Sequence, residues 1–228
     1  MTNALIVGAG PGLSASLARL LTARGAKVAL AARDTGKLNG LCQETGAIPY
    51  ICDATDEASV EALFAQLATE DRSPDLLIYN ASAYTRGPIA QLDAGKVRDV
   101  LAVSAYGAFL AARAAARVML DKGSGTMLFT GASAGVKGYA QSAPFAMGKF
   151  ALRGLRQSLA RELAPQNIHV AHFVIDGSIY QPERGTPFDN PHKTLHPDAI
   201  AQSYLAIADQ DRSAWSWEVE LRPYNESF

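Results

Sequence analysis

Three glycines, Gly8, Gly10 and Gly12, close an apolar run at residues 4–8 and lead into a segment of helical period at 13–24. Glycine lets a backbone turn sharply from strand to helix and approach a pyrophosphate, whose charge the helix N-terminus behind it stabilises. In that context the stretch through Pro11 and Leu13 reads as a dinucleotide-binding loop, with a tight strand-to-helix turn as the plainer alternative. A second apolar run ends at Arg33, with Ala32 where a preference for NAD would place an acidic acceptor for the ribose hydroxyls. An arginine there forks onto a ribose 2′-phosphate, which points to NADP over NAD; a solvated Arg33 paired with Asp34 is the alternative. Far downstream, Lys149 stands four residues after Phe145, one helical turn away on the same face. The lysine brings a cation to that face, and the phenyl ring has no proton to give.

Other reactive side chains offer less. His192 and His196 have the spacing of two metal ligands on a helix, but Pro191 and Pro197 flank them and no third ligand follows at a matching spacing, so they read as loop histidines. His169 and His172 lie three apart in a strand and so face opposite ways. Trp215 and Trp217, two apart, are expected to share one face of the last strand. Ser133, Lys149 and a carboxylate could suggest a hydrolase, but no Gly-x-Ser-x-Gly elbow is present. Cys42 and Cys52 form no C-x-x-C pair; they read as ordinary core residues in a protein of a reducing cytoplasm.

The elements that must position these groups are read from hydrophobic rhythm. Short apolar runs at 4–8, 27–32, 47–52, 75–80, 126–131 and 169–175 alternate with helical segments at 13–24, 34–45, 56–70, 94–121 and 143–164. A helix near 198–209 and a strand at 217–221 complete the series. Strands so continuously apolar are buried on both faces, which requires a parallel sheet covered by helices. The fold expected is α/β: a Rossmann-type doubly wound parallel sheet in three layers, α/β/α, in a single domain of 228 residues, 48% of them apolar. Residues 176–197 carry four prolines and read as a mobile loop over the binding face. No signal peptide is expected at the N-terminus, and no apolar stretch is expected to approach the ~20 residues of a membrane span. The net charge of −1, with both signs mixed along the chain, argues against nucleic acid or an anionic membrane and for a small-molecule partner.

With these pieces in place the chain resembles the short-chain dehydrogenase/reductase family from its first strand to its last. Residues 8–14 match that family's TGxxxGxG loop, with Val7 for the threonine and Ser14 for the last glycine. Asp53, followed by Ala54, matches an aspartate that meets adenine, and "YNAS" at 79–82 matches NNAG, which makes Asn80, Ala81 and Ser82 walls beside the adenine ribose. Gly177 follows Asp176 where the family has proline-glycine, Ile179 takes the place whose backbone holds the nicotinamide carboxamide, and Gln181 replaces a threonine. The family's Tyr-x-x-x-Lys reads Phe145-x-x-x-Lys149, its substrate-orienting serine falls on Ala132 with Ser133 beside it, and its helix asparagine falls on Ser104. In the family the tyrosine gives the proton and the lysine both tunes it and holds the nicotinamide ribose.

The resemblance therefore implies an NADP-binding oxidoreductase acting on a small carbonyl, alcohol or unsaturated substrate, without its usual acid. Ser133, a water on Lys149, or one of Tyr84, Tyr139 and Tyr180 is then left to supply the proton, and the region near Tyr84 and Arg86 to fit the substrate. The alternative is a cofactor-binding protein without turnover, a redox sensor or an assembly subunit. Family members often pair through the helices at 94–121 and 143–164, so a homodimer or homotetramer is expected.

Overall fold

The computed structural model describes residues 2–181 and 193–225. Its strands are β1 (Asn3–Val7), β2 (Lys27–Ala32), β3 (Ile48–Ile51), β4 (Leu76–Tyr79), β5 (Gly125–Thr130), β6 (Ile168–Ile175), β7 (Ser178–Ile179), β8 (Thr194–Leu195) and β9 (Glu218–Leu221). Its α-helices are α1 (Leu13–Ala23), α2 (Asn39–Thr45), α3 (Glu57–Thr69), α4 (Ala94–Leu101), α5 (Gly107–Lys122), α6 (Ala143–Leu163) and α7 (Pro197–Ala208). Seven strands form one sheet in the order β3-β2-β1-β4-β5-β6-β9, every pairing parallel. The order reverses between β1 and β4, so the loops after those strands diverge and leave a crevice at their carboxyl ends.

Burial on both faces is why these sequences read as unbroken apolar runs: every residue of β4 and β6 is buried. Alternate side chains feed two cores. Leu5, Leu77, Phe129 and Val170 pack toward α3, α5 and α6, while Ile6, Ile78, Leu128 and Phe173 pack toward α1 and α7. The two histidines of β6 follow the same alternation. His169 stacks on Trp215 at 4.7 Å between centroids, and His172 faces the α6 side, where it meets Glu218 at 3.2 Å. Trp215 and Trp217 do not share a face of the last strand, as expected from their spacing, because β9 begins only at Glu218. Trp217 instead lies against the Arg156 and Arg161 guanidinium groups of α6.

The helix expected at 94–121 is interrupted by a π-turn at Ala102–Tyr106. Tyr79 Oη donates to Val103 O at 2.6 Å, and a β-carbon at Gly107 would stand 2.6 Å from that hydroxyl and 2.7 Å from Ala54 O. The buried tyrosine thus takes a carbonyl out of the regular ladder, and glycine lets the helix pass close to it. Together α4, the π-turn and α5 form one helix, Ala94–Lys122, long and apolar enough by length and composition alone to cross a membrane. Half of its apolar window is buried inside the domain, where it covers the sheet. The loop expected over 176–197 holds a short parallel pair, β7 with β8; its middle, including His192, lies outside the described residues.

Candidate active site

A cleft of about 740 Å³ opens at the carboxyl ends of β1, β4, β5 and β6. On one side stands the turn from β1 into α1. Gly8 has φ +86° and its β-carbon would fall 2.3 Å from the Ala81 backbone, so the fold itself demands glycine there. Gly10 is different: a β-carbon there would meet nothing within 4 Å, so the chain's own packing does not require its bare backbone. Pro11, Gly12 and Leu13 complete this wall, and α1 begins with no side-chain cap and no acidic residue in its first turn. Its N-terminal amides therefore remain available to an anion. Ser14, buried in the first turn of α1, accepts from Asn80 Nδ2 at 2.7 Å and donates to Gly8 O at 3.2 Å, tying the β1 and β4 loops together.

A second cavity of about 260 Å³ continues behind Gly8, Asn80 and Ser82. Asp53, Ala54 and Ala81 line it, and the Thr55 backbone amide at 2.9 Å and hydroxyl at 2.7 Å hold the Asp53 carboxyl below its ordinary range. Arg33 and Lys37 also reach this cavity. Asp34 does not neutralise Arg33: its carboxylate accepts from the Gly36 amide at 2.9 Å, and Arg33 makes no ion pair among the described residues. Lys37 was not singled out by sequence, although a second cation four residues beyond Arg33, at the start of a helix, was a readable signal.

The far wall of the cleft carries Thr130, Ala132, Ser133, Tyr139, Phe145 and Lys149. Lys149 is 2% exposed, its Nζ donates to Thr130 O at 2.9 Å and lies 5.6 Å from the centre of the Phe145 ring. Burial without a counter-ion lowers its pKa to about 8. Ser133 accepts from Tyr139 Oη at 3.0 Å. Tyr84 packs edge-on against Phe145 at 5.1 Å, and Tyr180 is stacked on His196 at 5.9 Å; neither lines the cleft. Ser104 does not reach it either: fully buried in the π-turn, it faces Gly148, and its hydroxyl has no partner among the described residues. On the remaining side are Asp176, Gly177, Ile179 and Gln181. Gly177 has φ +149°, and a β-carbon there would strike Leu195 at 2.8 Å, so this glycine is required where β7 leaves β6.

Residues 2–177 match the family model described as short chain dehydrogenase. The chain belongs to that family. It is 30% identical over 169 residues to the 3-oxoacyl-acyl-carrier-protein reductase FabG of Salmonella typhimurium, covering 73% of this chain and 69% of that one. A short-chain dehydrogenase from Rhodopseudomonas palustris is 34% identical, with a TM-score of 0.83 over 97% of this chain and 98% of its own. A metagenomic short-chain oxidoreductase solved with NADP is 27% identical, with a TM-score of 0.83 over 97% of both chains. In this chain the glycine turn and Lys149 line the cleft, and Ala132 and Phe145 present a methyl group and a phenyl ring to it.

Proposed function

We propose that the protein is an NADP-dependent oxidoreductase that moves hydride to or from a small carbonyl, alcohol or unsaturated substrate beside Lys149. The supporting observation is the pair of adjoining cavities, one ending at Arg33 and Lys37, which make no ion pair among the described residues, the other at Lys149. Their residues fit a phosphorylated dinucleotide. Gly10 leaves open space that nothing in the chain uses, the α1 amides await an anion, and the two cations suit a 2′-phosphate. Asp53, Ala54, Asn80, Ala81 and Ser82 would wall the adenosine half; Gly177, Ile179 and Lys149 would hold the nicotinamide half. When bound, the cofactor supplies or accepts the hydride.

The chain itself handles the proton. Phe145 offers none, and a positioned acid is typically worth about 10²–10⁴ in rate. The Tyr139 hydroxyl donates to Ser133 Oγ, which leaves the Ser133 proton free for a substrate oxygen; Tyr139, 44% exposed, exchanges with solvent. One observation favours a second reading, binding without turnover: Ala132 and Phe145 are both apolar in the reacting wall.

Calorimetry and a turnover screen separate these. NADPH is expected to bind at least about tenfold more tightly than NADH, with Arg33→Ala erasing most of that difference. Slow oxidation of NADPH by some member of an aldehyde, ketone, quinone and enone panel, weakened by Ser133→Ala, supports the enzyme. Uptake with no turnover assigns the binding role, and no uptake of either nucleotide removes both readings. We also propose a small-molecule substrate with no nucleic-acid or membrane partner, a cytoplasmic setting, and assembly as a homodimer or homotetramer. Exposed Tyr106 at the end of the π-turn, Phe109 at the start of α5, and Met147 and Phe150 on α6 support a second copy seated on these helices.

A further inference from the structure

We propose that Lys149 is also a nucleophile, and that its Nζ condenses with small aldehydes and ketones entering the cleft to form a covalent imine. An ammonium has three protons to donate, yet among the described residues Lys149 finds one acceptor, Thr130 O, and no carboxylate. The ring of Phe145 at 5.6 Å is its other close neighbour, a weak substitute for a counter-ion. A neutral amine, with fewer protons to satisfy, suits this wall better. The same residue lines a cleft of about 740 Å³, ample for a small carbonyl compound.

The surrounding groups do not restore the charge. His172 of β6 is kept neutral, its pKa pushed down by burial to about 4. The Asp176 carboxylate is held by Arg222 at 3.1 Å, and Glu218 by Arg153 and Arg156 at 2.7 and 2.6 Å. Tyr139 is hydrogen-bonded to Ser133. With its pKa lowered to about 8, Lys149 at pH 7 carries roughly two orders of magnitude more free amine than a surface lysine.

The step balances without oxidant or reductant. The Nζ lone pair attacks the carbonyl carbon as the C=O π pair moves to oxygen, which takes a proton from the Ser133 and Tyr139 hydroxyls as solvent re-protonates them. The amine nitrogen gives up one of its two protons, and the hydroxyl, protonated once more, leaves as water. Amine, carbonyl and one proton become iminium and water. The chemistry depends on the wall of the cleft and not on a bound nucleotide.

Benzaldehyde with sodium cyanoborohydride fixes any imine as a benzyl mark, which peptide mass spectrometry maps to individual lysines of the intact protein. Lys149 is expected to carry at least tenfold more mark than Lys27, Lys96 or Lys122 at pH 7, levelling off near pH 8 while those continue to rise. A Lys149 mark absent or no greater than theirs overturns the proposal. Repeating the reaction with saturating NADP separates this from the cofactor reading. A mark on Lys149 suppressed by NADP supports both, whereas an undiminished mark leaves the imine standing and counts against Lys149 as the ribose holder.

Discussion

Lys149 shows how a buried, apolar setting changes the character of an amine. Phe145 offers it an apolar surface and no hydrogen-bonding group, so the amine stands buried on a single carbonyl. Its pKa falls from 10.5 to about 8, and that shift has a definite sign in stability. Between pH 8 and 10.5 the unfolded chain binds a proton that the folded one has released, so stability rises with pH across this window. Below pH 8 the folded state carries the full penalty, on the order of 3 kcal/mol. Lys149→Met is therefore expected to stabilise the protein at pH 7 by about 1–3 kcal/mol, the gain fading toward pH 10.5. Urea unfolding at several pH values measures it; a constant difference would show that charge is not the cause. The glycines divide at this scale too. Gly8 and Gly177 answer to the fold's own close approaches, and Gly10 answers to nothing in the chain, which is why it is the better witness to a ligand.

At the scale of elements, the edge strand β9 is fastened to α6 by charge. Arg156 is fully buried and donates to Glu218 at 2.6 Å and to Trp217 O at 2.7 Å, while Arg153 grips the same carboxylate at 2.7 Å. These bonds hold the Glu218 pKa down at about 2. Here the sign is the opposite one: the stabilisation is complete above pH 4.5 and is lost as pH falls toward 2. Glu218→Gln leaves Arg156 buried without its counter-charge, at a cost of about 3–5 kcal/mol. The expected result is a lower denaturant midpoint with acid unfolding moved to higher pH, and an unchanged midpoint would mean that the pair is solvated. The π-turn is the other element-level feature. Composition predicts one helix through 94–121 because alanines and leucines favour it throughout. A hydroxyl arriving from β4 opens its ladder, and helical periodicity carries no signal of a partner that lies 24 residues away.

Across the whole molecule, a monomer of this fold leaves aromatic surface exposed on adjoining helices. Phe109 is 40% exposed and stacks with Tyr106 at 6.2 Å, and Phe150 is 45% exposed. If a second copy covers them, Phe109→Glu places a charge in that interface and should shift light-scattering mass from the oligomer toward the monomer without altering the circular dichroism. A wild-type protein already monomeric at working concentration would dispose of the assembly. The parallel sheet, its helical cover and the glycine turn were legible beforehand, because strand burial, helical period and turn chemistry are local and repeat along the chain. Contacts between distant segments were not legible. Ser14 meets Asn80 across 66 residues, and Tyr79 meets Val103 across 24. Ser104 turns away from the cleft, and Trp215 and Trp217 part to opposite sides of the sheet. Sequence determined which groups the chain carries; only the folded chain decided which side chains converge, because a hydroxyl's partner depends on distance in space and not on separation along the backbone.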